Sequence, residues 1–179
     1  ARDRVVLFGG QLADGDLSDE TWEWDGVTWT QRTPAIAPSG RAEHGLVFDK
    51  TRQRIVLFGG RTPDEVDSDE TWEYDGTAWT QRALATSPTP RHGHGMAHDA
   101  ARGITVLFGG VAFPLLQDTW EWDGGGTWIK RTPALVPGGV RDGHMAFDPS
   151  LGMVVMVGGE GSAGQIANAW RWTGSNWIA

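Results

Sequence analysis

An arginine followed three residues later by a histidine occurs three times in this chain. The pairs are Arg41 and His44, Arg91 and His94, and Arg141 and His144. Guanidinium and imidazolium groups around one channel would bind an anion. Alternatively, each pair ties one repeated unit to the next, because buried polar groups are usually satisfied internally. The structural interpretation is favoured, since the pair occurs once per unit.

Two further histidines raise the question of a metal. His92 and His98 flank His94, and three imidazoles can bind zinc. A regular strand would put all three on one face, but their spacing matches no zinc pattern. The acidic loops offer weaker candidates, which are Asp14, Asp16, Asp67 and Asp69. An EF-hand is excluded because Asp19 stands where its loop needs Gly. We expect solvated acidic loops, no metal and no cofactor.

The elements that must position these residues repeat along the chain. An apolar run ends in two glycines four times, and the first glycine of each pair is Gly9, Gly59, Gly109 or Gly158. The steps are therefore 50, 50 and 49 residues. A fixed step of this length indicates an array of similar units.

Each unit repeats the same further landmarks. A variable segment follows the glycine pair and leads to an aromatic-x-aromatic strand such as Trp22-Glu23-Trp24. A Gly-containing turn and a single Trp then predict a hairpin. A Pro-rich connection leads to the next Arg and His, whose segments 44–49, 94–99 and 144–148 predict a further strand. No segment has the 3.6-residue period of a helix, since Gly and Pro occur too often.

Each unit thus predicts four short antiparallel strands. Its glycine-terminated strand is apolar on both faces and must be covered on both sides. Neighbouring units provide that cover in a β-propeller. We expect an all-β fold of four tandem four-stranded blades of about 50 residues in one domain, residues 1–179. The predicted blades are 1–32, which is partial, 41–82, 91–131 and 141–179.

The double glycine, the aromatic-x-aromatic strand, the single Trp and the Arg-x-x-His together resemble the kelch repeat. The resemblance covers essentially the whole chain and is closest to the bacterial, galactose-oxidase-like central propellers. It implies that the His-bearing strand is innermost and the single-Trp strand outermost. The copper-radical oxidases of this fold need a Cys linked to a Tyr. This chain has no Cys, and its one Tyr, Tyr74, occupies a repeat position. That activity is therefore excluded.

Two irregularities interrupt the repeat. Ala1 aligns with Thr51, so the first blade is predicted to lack its innermost strand. Kelch propellers usually have six or seven blades, so the resemblance implies either a longer propeller or several chains that share a ring. The segment 144–148 is one residue short, since no Gly follows His144. A one-residue change moves side chains between faces, and we expect a bulge or altered inner strand there.

Composition excludes several classes of partner. The net charge is −8, which argues against nucleic acid and against an anionic membrane surface. No apolar run reaches the ~18 residues of a membrane helix, and no signal peptide is recognisable. The absence of Cys leaves the compartment open. The resemblance to bacterial propellers slightly favours a secreted or cell-surface protein.

The leading functional hypothesis is a non-enzymatic scaffold that recognises a protein or glycan. Binding would use the Pro-rich connections and the loops after the glycine pairs, residues 11–20, 61–70, 111–118 and 160–169. Phe113 and Leu115 form the expected apolar contact surface there. One alternative is a carbohydrate-active enzyme, of sialic acid mutarotase or hydrolase type. Another is a self-assembling or designed fragment without a ligand. A homo-oligomer or part of a longer propeller is the expected assembly.

Overall fold

The computed structural model describes residues 3–179, and it consists of strands and turns. No helix occurs in that range. Ala1, which the repeat aligns with Thr51, lies outside the described residues. Four main antiparallel sheets follow one another along the chain, each hydrogen-bonded in sequence order, and a small fifth sheet accompanies the last of them. The expected all-β, repeated architecture is confirmed.

Sheet 1 contains three strands. They are β1 (Val5–Phe8), β2 (Thr21–Trp24) and β3 (Trp29–Arg32). Within residues 3–179 no strand pairs with the free edge of β1. In the described residues, sheet 1 thus has one strand fewer than sheets 2, 3 and 4.

Sheets 2 and 3 each contain four strands. Sheet 2 comprises β4 (Gly45–Asp49), β5 (Arg54–Phe58), β6 (Thr71–Tyr74) and β7 (Trp79–Gln81). Sheet 3 comprises β8 (Gly95–Asp99), β9 (Ile104–Phe108), β10 (Thr119–Trp122) and β11 (Ile129–Arg131). The inner strands, which the sequence predicts from His44 and from His94, begin one residue later in the structure, at Gly45 and Gly95. Trp128 precedes β11 instead of lying within it.

The last part of the chain forms two sheets. Sheet 4 comprises β13 (His144–Asp148), β14 (Met153–Val157), β17 (Trp170–Trp172) and β18 (Trp177–Ile178). A small sheet comprises β12 (Val140–Arg141), β15 (Glu160–Gly161) and β16 (Gly164–Gln165). In earlier units single bridges such as Ala42 to Arg61 stand in the place of this small sheet.

The apolar core lies between successive sheets. Phe8 of sheet 1 packs with Leu57 and Trp79 of sheet 2. The same kind of cluster joins sheet 2 to sheet 3 and sheet 3 to sheet 4. The middle strands β5 and β9 are consequently almost fully buried, as their apolar sequences require. In β1, by contrast, Val5 and Leu7 are exposed.

The glycine pairs allow the chain to pass close to its neighbour. Gly59 has a φ of +68°, and a Cβ there would lie 2.7 Å from the carbonyl oxygen of Arg91. Gly is the residue that accepts both this backbone conformation and this approach. The close approach brings the connection before each sheet against the glycine loop of the preceding sheet.

Candidate functional site

The loops after the glycine pairs and the Pro-rich connections meet at one end of the sheets. The backbone N–H of Gly10 donates to the carbonyl of Arg41 at 2.9 Å, and Arg41 donates in turn to Ser18 at 3.3 Å. Gly60 and Arg91 repeat the first of these bonds. The loops after the glycine pairs and the residues between sheets are together called the loop surface below. It comprises residues 11–20, 33–40, 61–70, 83–90, 111–118, 132–139 and 160–169.

Two segments of the loop surface hold the net charge of the protein. Residues 11–20 and 61–70 contain nine Asp and Glu and one Arg. The rest of the chain contains fourteen acidic and fourteen basic residues. The net charge of −8 is thus located on two neighbouring loops of sheets 1 and 2. Such a localised field attracts a cationic surface.

Apolar side chains project from the same loops. Phe113, in the loop of residues 111–118, is 91% exposed. Leu12 and Val66 are exposed in the two acidic loops, and Ile36 and Leu135 are exposed in the connections. Leu115 is partly buried, and its backbone bridges Val111 across the loop base. Sequence analysis singled out Phe113 and Leu115 but missed Leu12 and Val66, because single apolar residues in acidic loops give little pattern.

Arg41 joins sheet 1 to sheet 2. Its backbone bonds the glycine loop of sheet 1, and its side chain, fully buried, reaches the loop of sheet 2. The guanidinium donates to the carbonyl of Gly59 at 3.1 Å and to Glu70 at 2.6 Å. This partner is one reason why the pKa of Glu70 is lowered, against the desolvation that raises it. The donors of Arg41 are therefore engaged within the protein.

Arg91 makes the same connection from sheet 2 to sheet 3. It is fully buried, and it donates to Gly109 at 3.0 Å. Both oxygens of Asp118 accept from it, at 2.6 and 3.0 Å. Against desolvation, the guanidinium lowers the pKa of that carboxyl. Bidentate pairing of this kind fixes the geometry of both groups.

Arg141 does not occupy the corresponding position. Gly110 donates to the carbonyl of Val140, as Gly60 does to that of Arg91, so Val140 takes the place of the arginine. Arg141 is instead about half-exposed and pairs with Glu160 at 2.6 Å. The expected equivalence of Arg141 with Arg41 is wrong by one residue. Among residues 3–179, the junction from sheet 3 to sheet 4 therefore has no buried guanidinium.

The histidines follow the same shift. Gly45 and Gly95 pair with Phe58 and Phe108, whereas His144 pairs with Val157. His144 thus stands in the place of those glycines. The strand pairs residue for residue, so residues 144–148 contain no bulge; the altered inner strand, which was the other expectation, is present as this shift of one residue. Counting back from the following glycine pair, 18 residues lead to Arg41, Arg91 and Val140, which is the signal that sequence analysis overlooked.

His94 is buried, His44 is partly buried, and both are uncharged at neutral pH. Burial, followed by the nearby Arg41, lowers the pKa of His44 to about 4. Burial and then Arg91 lower the pKa of His94 to about 3. Each ring packs edge-on against a phenylalanine, Phe8 or Phe58, at 5.8 and 5.5 Å between centroids. These two imidazoles therefore offer no positive charge to an anion.

His92 and His98 lie at opposite ends of the inner segment of sheet 3. The Nδ1 of His92 is 2.7 Å from Asp67, and its Nε2 is 3.0 Å from Arg61. These contacts hold the second acidic loop against sheet 3. The Nε2 of His98 is 3.5 Å from the hydroxyl of Thr51.

The described residues hold no group of three or more His, Asp or Glu arranged for a metal ion. In the first acidic loop, Asp14 accepts the backbone N–H of Asp16 at 3.1 Å, which closes a turn. Asp67 is engaged by His92, and Asp69 is exposed on the second acidic loop. The Asp-Gly turns at the other end of the sheets are likewise structural, since Asp25 accepts two backbone N–H groups at 2.8 Å.

A groove of about 700 Å³ lies beside the free edge of β1, between sheets 1 and 2. Its walls include Val5, Val6, Leu46, Phe48 and Ile55. The groove occupies the position that β4 and β8 fill in sheets 2 and 3. It is thus a consequence of the three-stranded sheet 1.

Comparison with known families agrees with this architecture. The model of the KLHDC2/KLHL20/DRC7 Kelch-repeats domain matches residues 1–172. The chain therefore belongs to the kelch-repeat family. This match does not single out the galactose-oxidase-like propellers. No curated protein matches the chain significantly.

Kelch-repeat domains typically mediate protein–protein interaction. No helix of residues 3–179 is long and apolar enough to cross a membrane.

Proposed function

We propose that this protein is a non-enzymatic scaffold whose loop surface binds a basic segment of a partner protein. The observation that carries the proposal is the location of the net charge on residues 11–20 and 61–70, beside exposed apolar side chains. Protein interfaces commonly combine an apolar centre with a polar rim. The acidic groups would steer a cationic partner, and the apolar ones would hold it.

The buried arginines support a scaffold role for the loops. Arg41 and Arg91 tie each loop to the next sheet through several hydrogen bonds. A loop held in this way loses little conformational freedom on binding, which favours affinity. In this proposal Arg41, Arg91, His44 and His94 position the loop surface and do not contact the ligand. Arg141, His144, Phe113 and Leu115 remain available to a ligand.

A selection from a random displayed-peptide library tests the proposal. We expect binders rich in Lys and Arg next to apolar residues. A variant with Asp16, Asp19, Asp64 and Asp69 changed to Asn should bind them about tenfold more weakly or worse. Phe113→Ser should also weaken binding. Val27→Ser is the matched control, because Val27 is exposed in a turn at the other end of sheet 1.

Equal binding by the wild type, the four-Asn variant and Phe113→Ser would contradict the proposal. A glycan is the other ligand class that the loop surface could take. Screening the same proteins on a glycan array distinguishes a glycan ligand from a protein ligand. Glycan binding that depends on Phe113, in the absence of peptide binding, would show that the ligand is a glycan and not a protein.

A further inference from the structure

The guanidinium groups of Arg41 and Arg91 have matching surroundings at two successive junctions. Each Nε donates at 3.0 Å to the carbonyl of the residue two positions before the arginine, Ser39 or Thr89. Each guanidinium also donates to the carbonyl of the first glycine in the following pair and to a carboxylate of the loop after that pair. Three recurring acceptors thus fit the planar fork of donors on a guanidinium.

The carboxylate in this arrangement also accepts an indole N–H. Glu70 accepts from Trp72 at 3.0 Å, and Asp118 accepts from Trp120 at 2.7 Å. Each tryptophan follows its acid by two residues, and both tryptophans are buried. The two carbonyls, the acid and this tryptophan together are called the guanidinium position.

The guanidinium position between sheets 3 and 4 has no arginine of its own among residues 3–179. Val140 stands in the place of Arg91, and its side chain packs in the apolar core. Asn168 precedes Trp170 by two residues, where the two earlier positions have an acid. Within the described residues, the side chain of Asn168 has no hydrogen-bond partner. The amide oxygen of this asparagine is therefore open to a donor.

The two backbone acceptors do not depend on the residue type. Counted from the glycine pair, Gly138 corresponds to Thr89, and Gly158 corresponds to Gly109. Every residue carries a carbonyl group, so the change from arginine to valine removes the donors of the position and leaves its backbone acceptors.

A pocket of about 290 Å³ lies at this junction. Its walls include Gly138, Asn168 and Trp170, which correspond to three residues around the guanidinium of Arg91. Another wall is the hairpin of β15 and β16, which replaces the single bridges of earlier units. Trp170 is partly exposed. The pocket therefore opens to solvent at the place that Arg91 fills at the preceding junction.

We propose that this pocket, between Gly138, Asn168 and Trp170, binds an arginine side chain of a partner protein. Two junctions of the same chain show that a guanidinium fits this set of acceptors. A guanidinium also stacks on an exposed tryptophan ring. The inference specifies one contact of the loop surface, and it rests on the proposed function for the kind of partner.

The asparagine in place of an acid suits a ligand that binds reversibly. Hydrogen bonds to a carboxylate such as that of Asp118 are charge-assisted and roughly twice as strong as neutral ones. Asn168 offers an uncharged amide oxygen, so an arginine from outside is held less tightly than Arg91 is. A lysine fits less well, because its ammonium group is a compact point charge without the planar fork.

Titration of the full chain with N-acetyl-arginine methylamide, followed by NMR, tests the inference. The signal to follow is the indole N–H of Trp170, which is assigned by its disappearance in Trp170→Phe. We expect a saturable shift of this signal. The Kd of the matching lysine compound should be about fivefold higher, because the ammonium group reaches fewer of the acceptors.

Two variants change the pocket in opposite directions. Asn168→Asp supplies a carboxylate at an exposed position and should lower the Kd of the arginine compound about fivefold. Val140→Arg combined with Asn168→Asp rebuilds the internal ion pair, so the new side chain should fill the pocket and abolish the shift. Val27→Ser, at the other end of sheet 1, is the control and should bind as the wild type does.

Three results would overturn the inference. They are the absence of a saturable shift in both the wild type and Asn168→Asp, equal Kd values for the arginine and lysine compounds, and a double variant, folded by circular dichroism, that responds as the wild type does. If the double variant does not fold, the comparison of the wild type with Asn168→Asp decides, and equal Kd values for these two proteins would contradict the inference.

The small probe separates this inference from the proposed function. Selected peptides that bind the acidic loops without a shift at Trp170 would support the proposed function and contradict the arginine pocket. A saturable shift with the arginine compound, when no basic peptide is selected, would support the pocket and contradict the proposed function.

Discussion

Single side chains show how the interior of this protein controls charge. His44 and His94 are kept neutral by burial, while the guanidinium groups of Arg41 and Arg91 are buried with carboxylate and carbonyl partners. The difference follows from chemistry, because Arg cannot lose its proton and must find acceptors, whereas His can remain neutral. A sequence shows that these residues recur, but not which of them stays charged.

The buried histidines predict a pH dependence of stability. Their folded pKa values of about 4 and about 3 lie below the ordinary 6.5 of the unfolded chain. The unfolded state therefore binds more protons below pH 6.5, and the free energy of unfolding should fall as the pH falls from about 6.5 towards 4. Urea unfolding across this range measures the slope.

The double variant His44→Gln and His94→Gln should flatten the dependence of the free energy of unfolding on pH between about 6.5 and 4.5. Val27→Ser, which changes an exposed side chain that does not titrate, is the control and should retain the wild-type slope. An unchanged slope in the double variant would show that other groups cause the pH dependence in this window.

At the scale of elements, the sheets are joined by a few repeated side chains. Their all-β, repeated order could be predicted from the period-2 aromatics and the glycine pairs, whereas the small sheet of β12, β15 and β16 could not. The register of the last unit could not be predicted from residue type alone. Arg141 has the same residue type as Arg91, but Val140 is the residue that lies at the same distance from the following glycine pair. The structure has Val140 in the position of the arginine, and its apolar side chain packs in the core between sheets 3 and 4. The hydrophobic pattern and the turn geometry, and not the recurrence of one polar residue type, set the register of a strand.

The ion pair of Arg91 and Asp118, which joins sheets 2 and 3, gives a prediction at the scale of elements. Arg91→Met leaves Asp118 without its bidentate partner, and Asp118 is largely buried. Losing one member of a buried ion pair costs about 3–5 kcal/mol of unfolding free energy. Arg141→Met is the matched control, since Arg141 and Glu160 are both about half-exposed.

Chemical denaturation of the two variants measures this difference. We expect a clear fall in the denaturation midpoint for Arg91→Met and a midpoint close to that of the wild type for Arg141→Met. Equal midpoints for both variants would mean that the buried guanidinium does not hold sheets 2 and 3 together.

At the scale of the whole molecule, the surfaces that pack the sheets together differ from the surface that we propose for binding. The contacts between sheets are apolar and repetitive, and the loops of sheets 1 and 2 hold the net charge. The repeat revealed the fold because it recurs. It could predict the loop surface only as the variable part of each unit, since loop residues are free of the packing constraints that make a pattern. The exposure of Leu12 and Val66 could be recognised only in the structure of the folded loops.

Hydrogen–deuterium exchange of the protein in complex with a selected peptide tests the central claim directly. The claim is that partners bind the loop surface and not the opposite end of the sheets. We expect slower exchange in residues 11–20, 61–70 and 111–118 and unchanged exchange in the turns at 25–28 and 75–78. Protection confined to those turns, or to the free edge of β1, would contradict the account.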